Sequence, residues 1–123
     1  MTFLLDTSIL LWALAEPDRL DDARRQLVED RSNTVYVSSV NAAEIAIKVS
    51  IGKLTLDGEL LSLADEAGFD WIDFTPGEAM LLRSLPFHHR DPFDRMLVCQ
   101  SLFRGIPLMT DDTNIAPYGC NVV

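Results

Sequence analysis

The stretch Thr2-Phe3-Leu4-Leu5-Asp6-Thr7-Ser8-Ile9-Leu10-Leu11-Trp12-Ala13-Leu14 decides how this chain is read. Residues 2 to 5 are a short apolar run that stops at an acid. Beyond it, Ile9, Leu10, Leu11, Trp12 and Leu14 are too densely apolar for anything but a largely buried helix. The unit is therefore strand, Asp6, helix, and the rest of the chain repeats its logic. Pro17 ends the first helix, and Asp18 or Asp21 can cap a second one carrying Leu20, Ala23, Leu27 and Val28. Thr34 to Val37 is a second strand, β-branched and aromatic.

Further along, Ser38, Ser39 and Asn41 are candidate caps. Asn41 with Glu44 has capping-box spacing before a helix bearing Ile45, Ala46, Val49 and Ile51, which Gly52 ends. Asp57 opens a helix that closes at Gly68, and Phe69 to Phe74 reads as a third strand. Thr75-Pro76-Gly77-Glu78 has the cap, the first-turn proline and the acid of a helix start. Phe87 to Arg90 is a loop, Asp91-Pro92 starts a helix running to Gly105, and Ile106 to Thr110 is a fourth strand. Asn121 to Val123 can add an edge strand. Strands separated by helices cannot pair as hairpins, so the expected fold is α/β: a three-layer α/β/α sandwich with a central, mostly parallel sheet, one domain over residues 1–123.

Composition bounds the function. A chain of 123 residues, 48% hydrophobic, removes roughly two thirds of its unfolded surface from water and needs no staples. Cys99 and Cys120 form no C-x-x-C pair and have no ligand-spaced neighbours, which fits reduced thiols rather than zinc or redox chemistry. The opening residues carry no basic leader, and the apolar run is too short for a signal or a span, so a cytoplasmic protein is expected. Nineteen acidic residues against ten basic ones, a net charge of −9, argue against generic adhesion to nucleic acid. The excess becomes useful if part of it is gathered where divalent cations bind, because bound metal inverts the local field.

The acids are placed for that. In parallel sheets, ligands bind beyond the carboxyl ends of the strands, where helix N-termini also point. Asp6 follows the first strand, Asp112 follows the fourth with Thr110 before it, and Glu44 and Asp94 fall in the opening turns of helices that begin at the same edge. Each has a bland role as well: Asp6 as a cap, Glu44 in a capping box, Asp94 against the helix dipole, Asp111 and Asp112 in a turn. Four like charges at one edge repel unless a cation or proton intervenes, which favours a joint role in holding Mg²⁺ or Mn²⁺. His88 and His89 are adjacent and without ligand spacing, so structural or RNA-facing roles are expected of them. Lys48, Lys53, Arg90 and Arg95 are the candidate phosphate contacts. Trp12, Trp71 and Phe74 are read as core.

Taken together, Leu4-Leu5-Asp6-Thr7-Ser8, Val37-Ser38-Ser39 through Glu44-Ile45-Ala46-Ile47-Lys48, Gly52-Lys53-Leu54, His89-Arg90-Asp91-Pro92-Phe93-Asp94-Arg95 and Leu108-Met109-Thr110-Asp111-Asp112 resemble PIN-domain nucleases, specifically the VapC-type toxins of toxin–antitoxin systems. The resemblance covers nearly the whole chain and places that family's acids on Asp6, Glu44, Asp94 and Asp112. It implies a Mg²⁺- or Mn²⁺-dependent endoribonuclease, a cognate VapB-like antitoxin and a homodimer. Asp6 and Asp94 are then expected to be the principal ligands, Glu44 and Asp112 to complete a second site or hold metal-bound water, and Thr110 to stand behind them. The chain departs from the usual pattern at Thr113-Asn114-Ile115.

The alternatives are a housekeeping or catalytically silent PIN-like RNA-binding module and a receiver-like signalling domain. A receiver needs paired acids after its first strand, where Asp6-Thr7-Ser8 stands here. An aspartyl phosphatase needs a second Asp at Ser8, and no Gly-rich phosphate loop is present.

Side chains alternate along an extended segment, so Thr110 and Asp112 face one side and Asp111 the other. Asp112→Asn is therefore expected to remove most RNA cleavage across a Mn²⁺ titration. Asp111→Asn is expected to remove little.

Overall fold

The opening strand β1, Thr2–Leu5, is central to a four-stranded parallel sheet of order β3-β2-β1-β4, with β2 at Thr34–Ser38, β3 at Asp70–Ile72 and β4 at Leu108–Met109. The computed structural model describes residues 1–123. Six α-helices join the strands: α1 Thr7–Ala15, α2 Asp22–Glu29, α3 Ser39–Ser50, α4 Leu60–Glu66, α5 Pro76–Met80 and α6 Pro92–Arg104. No helix is long and apolar enough to cross a membrane.

The period-two alternation of the strands explains why both faces of the sheet are covered. Phe3 and Leu5 face one way, into a cluster with Ile9, Leu10, Val35, Val37, Ile45, Ala64 and Met109. Leu4 faces the other way, against Val40, Ile72, Leu97, Val98, Leu108 and Ile115. Phe3, Leu4 and Leu5 are wholly buried, each contributing roughly 1.5–3 kcal/mol of apolar burial. The three-layer α/β/α architecture expected from the sequence is the one observed, and Trp12, Trp71 and Phe74 pack on these clusters.

Several boundaries differ from those expected, each for a local reason. The helix expected from Asp57 starts at Leu60, because Gly58 sits at φ +94° and Glu59 caps instead, accepting from the N–H groups of Leu61 and Ser62. The third and fourth strands are shorter than Phe69–Phe74 and Ile106–Thr110. Residues 121–123 add only a single parallel bridge, Leu108 to Val122. The starts at Thr75 and Asp91 are as expected, with a full capping box between Thr75 and Glu78. Buried Glu78 also pairs with the Arg104 Nε at 2.9 Å, tying α5 to the end of α6.

The largest correction concerns α3. Asn41 and Glu44 do not form its capping box: the helix begins three residues earlier, capped by Ser38, whose N–H donates to Asn41 Oδ1 at 2.7 Å. Glu44 therefore lies in the second turn, free of any capping duty. The Asn41 amide donates to Thr7 Oγ1 at 3.0 Å and to the Leu5 carbonyl at 3.3 Å, so one buried side chain fastens α3 to the carboxyl end of β1.

Asn41→Ala leaves the Ser38 N–H and the Leu5 carbonyl facing a dry gap. It should lower stability by ~2–3 kcal/mol, read as a lower urea midpoint with an unchanged m-value.

Candidate active site

The direction of the chain reverses at β1, since β2 and β3 lie to one side of it and β4 to the other. A crevice opens at such a switch point, beyond the carboxyl ends of the strands. Asp6 stands at that edge, directly after β1, anchored by its N–H to the Met109 carbonyl at 3.1 Å and capping α1 by accepting from the Ile9 N–H at 2.8 Å. The cap engages Oδ1 of this carboxylate.

Thr110 and Asp112 reach the same place from the end of β4. The Thr110 hydroxyl accepts from the Asp112 N–H at 3.0 Å and is the hydrogen-bonding neighbour of Asp6, so it couples the two acids. Asp112 Oδ1 accepts from the Asn114 N–H at 2.9 Å, which gives the unusual Thr113-Asn114-Ile115 stretch a local job. Asp111 points away, as alternation requires. It is not simply a solvated turn residue, however: it pairs with Arg24 of α2, whose guanidinium also donates to the carbonyls of Thr110 at 2.9 Å and Val123 at 3.0 Å.

Glu44 and Asp94 come from α3 and α6. Glu44 is 4% exposed, and its Oε2 accepts from Lys48 Nζ at 2.6 Å, one helical turn on. Its Oε1 is buried without any hydrogen-bond partner. Asp94 lies in the first turn of α6, where the Asp91 cap accepts from the N–H groups of Phe93 and Asp94.

The acids sense one another. Burial raises the pKa of Asp6 above the ordinary carboxyl value, and the charges of Asp112 and Glu44 add to the rise against the hydrogen bonds from Thr110 and the Ile9 N–H. Burial, with the neighbouring charge of Asp91 and those of Asp6 and Glu44, pushes Asp94 up to about 7 against the opposing influence of His89. Burial works on Asp112 in the same direction, but the Asn114 N–H and the His89 ring outweigh it and hold this acid low. The hydrogen bond to Glu44 raises Lys48.

Two expectations about basic residues need correcting. Arg95 is not a phosphate contact: it is 6% exposed, donates to the carbonyls of Pro86 at 2.7 Å and Leu85 at 3.1 Å and to the Tyr118 hydroxyl at 3.2 Å, and lies over the Phe87 ring. Lys48 is engaged by Glu44, whereas Arg90 and Lys53 are exposed. The histidines part company. His88 meets the edge of Tyr118, while His89 turns inward, its Nε2 2.5 Å from Asp112 and 3.3 Å from Asp94. The sequence reading gave His89 a structural or RNA-facing role and not a place beside two acids, because no spacing rule brings a loop residue to acids on other elements.

The donors suit a hard divalent cation: carboxylate oxygens from four segments, one of them buried and unpartnered, in a cluster whose own charges drive protons on. His89, Asp94 and Asp112 alone offer three candidate ligand atoms within 4.8 Å of one another.

Because the folded pKa of Asp94 lies above its unfolded value, the unfolded chain loses this proton first as pH rises. Folding stability is then eroded from about pH 4 until about pH 7. In EDTA, Asp94→Asn should therefore stabilise the protein by ~1–3 kcal/mol at pH 8 and by almost nothing at pH 4, measured as urea midpoints at the two pH values.

Comparison with known proteins bears on the fold and the family. Residues 3–119 match the PIN domain family. A curated relative, Ribonuclease VapC22 of Mycobacterium tuberculosis, is 27% identical over 117 residues, covering 93% of this chain and 89% of that protein. Among solved structures, VapBC2 of Rickettsia felis bound to a promoter DNA fragment superposes with a TM-score of 0.73 at 18% identity, over 100% of this chain and 98% of that one. FitAcB of Neisseria gonorrhoeae gives 0.59 at 21% identity, over 98% and 95%. These structural likenesses are likenesses of fold, and the family match covers almost every residue described above: the chain belongs to the PIN domain family.

Proposed function

We propose that this chain is a metal-dependent endoribonuclease, the toxin of a type II toxin–antitoxin system, acting in the cytoplasm at a site built from Asp6, Glu44, Asp94 and Asp112. What supports the reading is that these four acids lie close enough for their charges to act on one another, with Glu44 Oε1 buried and lacking a partner. Membership of the PIN family and the ribonuclease name of the curated relative support the reaction class. The VapBC complexes among the structural neighbours support a VapB-like antitoxin as partner.

Asp6 and Asp94 would be the principal ligands of Mg²⁺ or Mn²⁺, with Glu44 and Asp112 completing the set and Thr110 orienting Asp6 and Asp112 from behind. The cation would supply activation of water and neutralisation of the scissile phosphate. Thr110 keeps the two strand-end acids in register, and Lys48 shields Glu44. RNA would reach the crevice despite the net charge of −9 because only the loaded site is attractive to phosphate. A cluster of this sign is also a target for a cationic side chain, so an antitoxin is expected to place an Arg or Lys there, and a second copy of the chain is expected to complete a homodimer.

Two measurements test the reading. Cleavage of a structured RNA should appear with Mn²⁺, vanish in EDTA, and fall by at least ~100-fold in Asp6→Asn and Asp94→Asn while both variants stay folded. Full activity in EDTA would sink the metal mechanism. Addition of the protein encoded beside this gene should suppress cleavage in competition with Mn²⁺.

A further inference from the structure

His89 is the one residue in the crevice for which the acid pattern does not account. Its side chain is 13% exposed and lies between Asp94 and Asp112. Its position is specified on three sides. The His89 N–H donates to the Tyr118 hydroxyl at 2.8 Å, and its carbonyl accepts from Arg95 at 3.4 Å. Its ring Nδ1 accepts from the Asp91 N–H at 3.0 Å.

The last of these contacts carries the most information. A backbone N–H can only donate, so Nδ1 must present a lone pair, and the proton of the neutral ring belongs on Nε2. That N–H is aimed at Asp112 Oδ2, 2.5 Å away. While the Asp91 contact holds, Nε2 has no lone pair to give a metal. The cluster of His89, Asp94 and Asp112 therefore resembles a histidine-containing metal site by distance and differs from one by hydrogen bonding.

We infer that His89 is a positioning residue that orients Asp112 by donating from Nε2 and does not itself ligate the cation. The inference rests on the metal-nuclease reading above. Asp112 is gripped on both oxygens, Oδ1 by the Asn114 N–H and Oδ2 by His89, and each oxygen keeps a second lone pair for the cation.

Gln carries a side-chain N–H₂ where His carries Nε2, whereas Asn reaches only as far as Nδ1, and this difference supplies the experiment. Mn²⁺ binding to the RNA-free protein should weaken by about 10- to 100-fold in His89→Ala and His89→Asn, the range for removing a residue that orients a ligand, and be largely restored in His89→Gln. Cleavage should follow through kcat, with KM for RNA unchanged. Nitrogen NMR of the unaltered, metal-free protein should show the Nε2–H form of His89. Pulsed electron paramagnetic resonance of the Mn²⁺ form should show no directly bound histidine nitrogen. A nitrogen coupling that disappears in His89→Gln, or an Nδ1–H ring, overturns the inference. So does Mn²⁺ affinity that His89→Ala leaves unchanged. The two failures are separable: no Mn²⁺ uptake by the unaltered chain removes the metal site itself, whereas normal uptake with an indifferent His89 removes only the role assigned here.

Discussion

Two hydrogen bonds between the central strand and the last one, from the Leu4 N–H to the Pro107 carbonyl at 2.9 Å and from the Asp6 N–H to the Met109 carbonyl at 3.1 Å, hold the chemistry of this protein together. They set the register that brings Asp6 beside Thr110, and Thr110 in turn fixes Asp112. Slip this pairing by one residue and every side chain on the short strand changes face: Thr110 would turn from the crevice and Met109 from the core. Burial of Leu4, Leu5, Leu108 and Met109 makes that slip costly. The apolar core thus acts on the site through register, without touching it.

Against that stabilising scaffold stands the repulsion of the acids. Burial and like charge both favour protonation of Asp6 and Asp94, and the fold answers with hydrogen bonds rather than with full neutralisation. Backbone N–H groups of Ile9 and Asn114 and the hydroxyl of Thr110 offset part of the cost. Among basic side chains, Lys48 and His89 come into contact with the four acids, and each attends to one edge of the cluster. The residual repulsion would give a divalent cation its hold, since relieving it would stabilise the folded state directly.

Much of this was legible in the sequence because it depends on local rules. The apolar run before Asp6, the helix starts at Thr75 and Asp91, and the alternation separating Asp111 from Asp112 follow from periodicity and capping, which act over a few residues. The four acids could be named because each sits at a strand end or an early helical turn. What the sequence concealed depends on pairing at a distance. Asn41 binds β1 instead of the expected Glu44 partner, Arg95 is consumed by the carbonyls of a preceding loop, and Arg24 engages Asp111 across the sheet edge. His89 was hidden for the same reason, its two acids lying on different elements.

The order of the strands has a consequence for how the protein comes to life. The edge that completes the crevice, β4, is the last strand in the chain, yet it pairs with the first. Contacts of such long sequence separation form only after the intervening loop has been closed, and they are slow to form. A chain with β1, β2 and β3 already in place still has Asp6 and Glu44 but lacks the strand that delivers Thr110 and Asp112. A nascent chain that has not yet paired β4 with β1 therefore lacks part of the proposed acid set, and an activity that needs all four acids would arise only once that pairing is made.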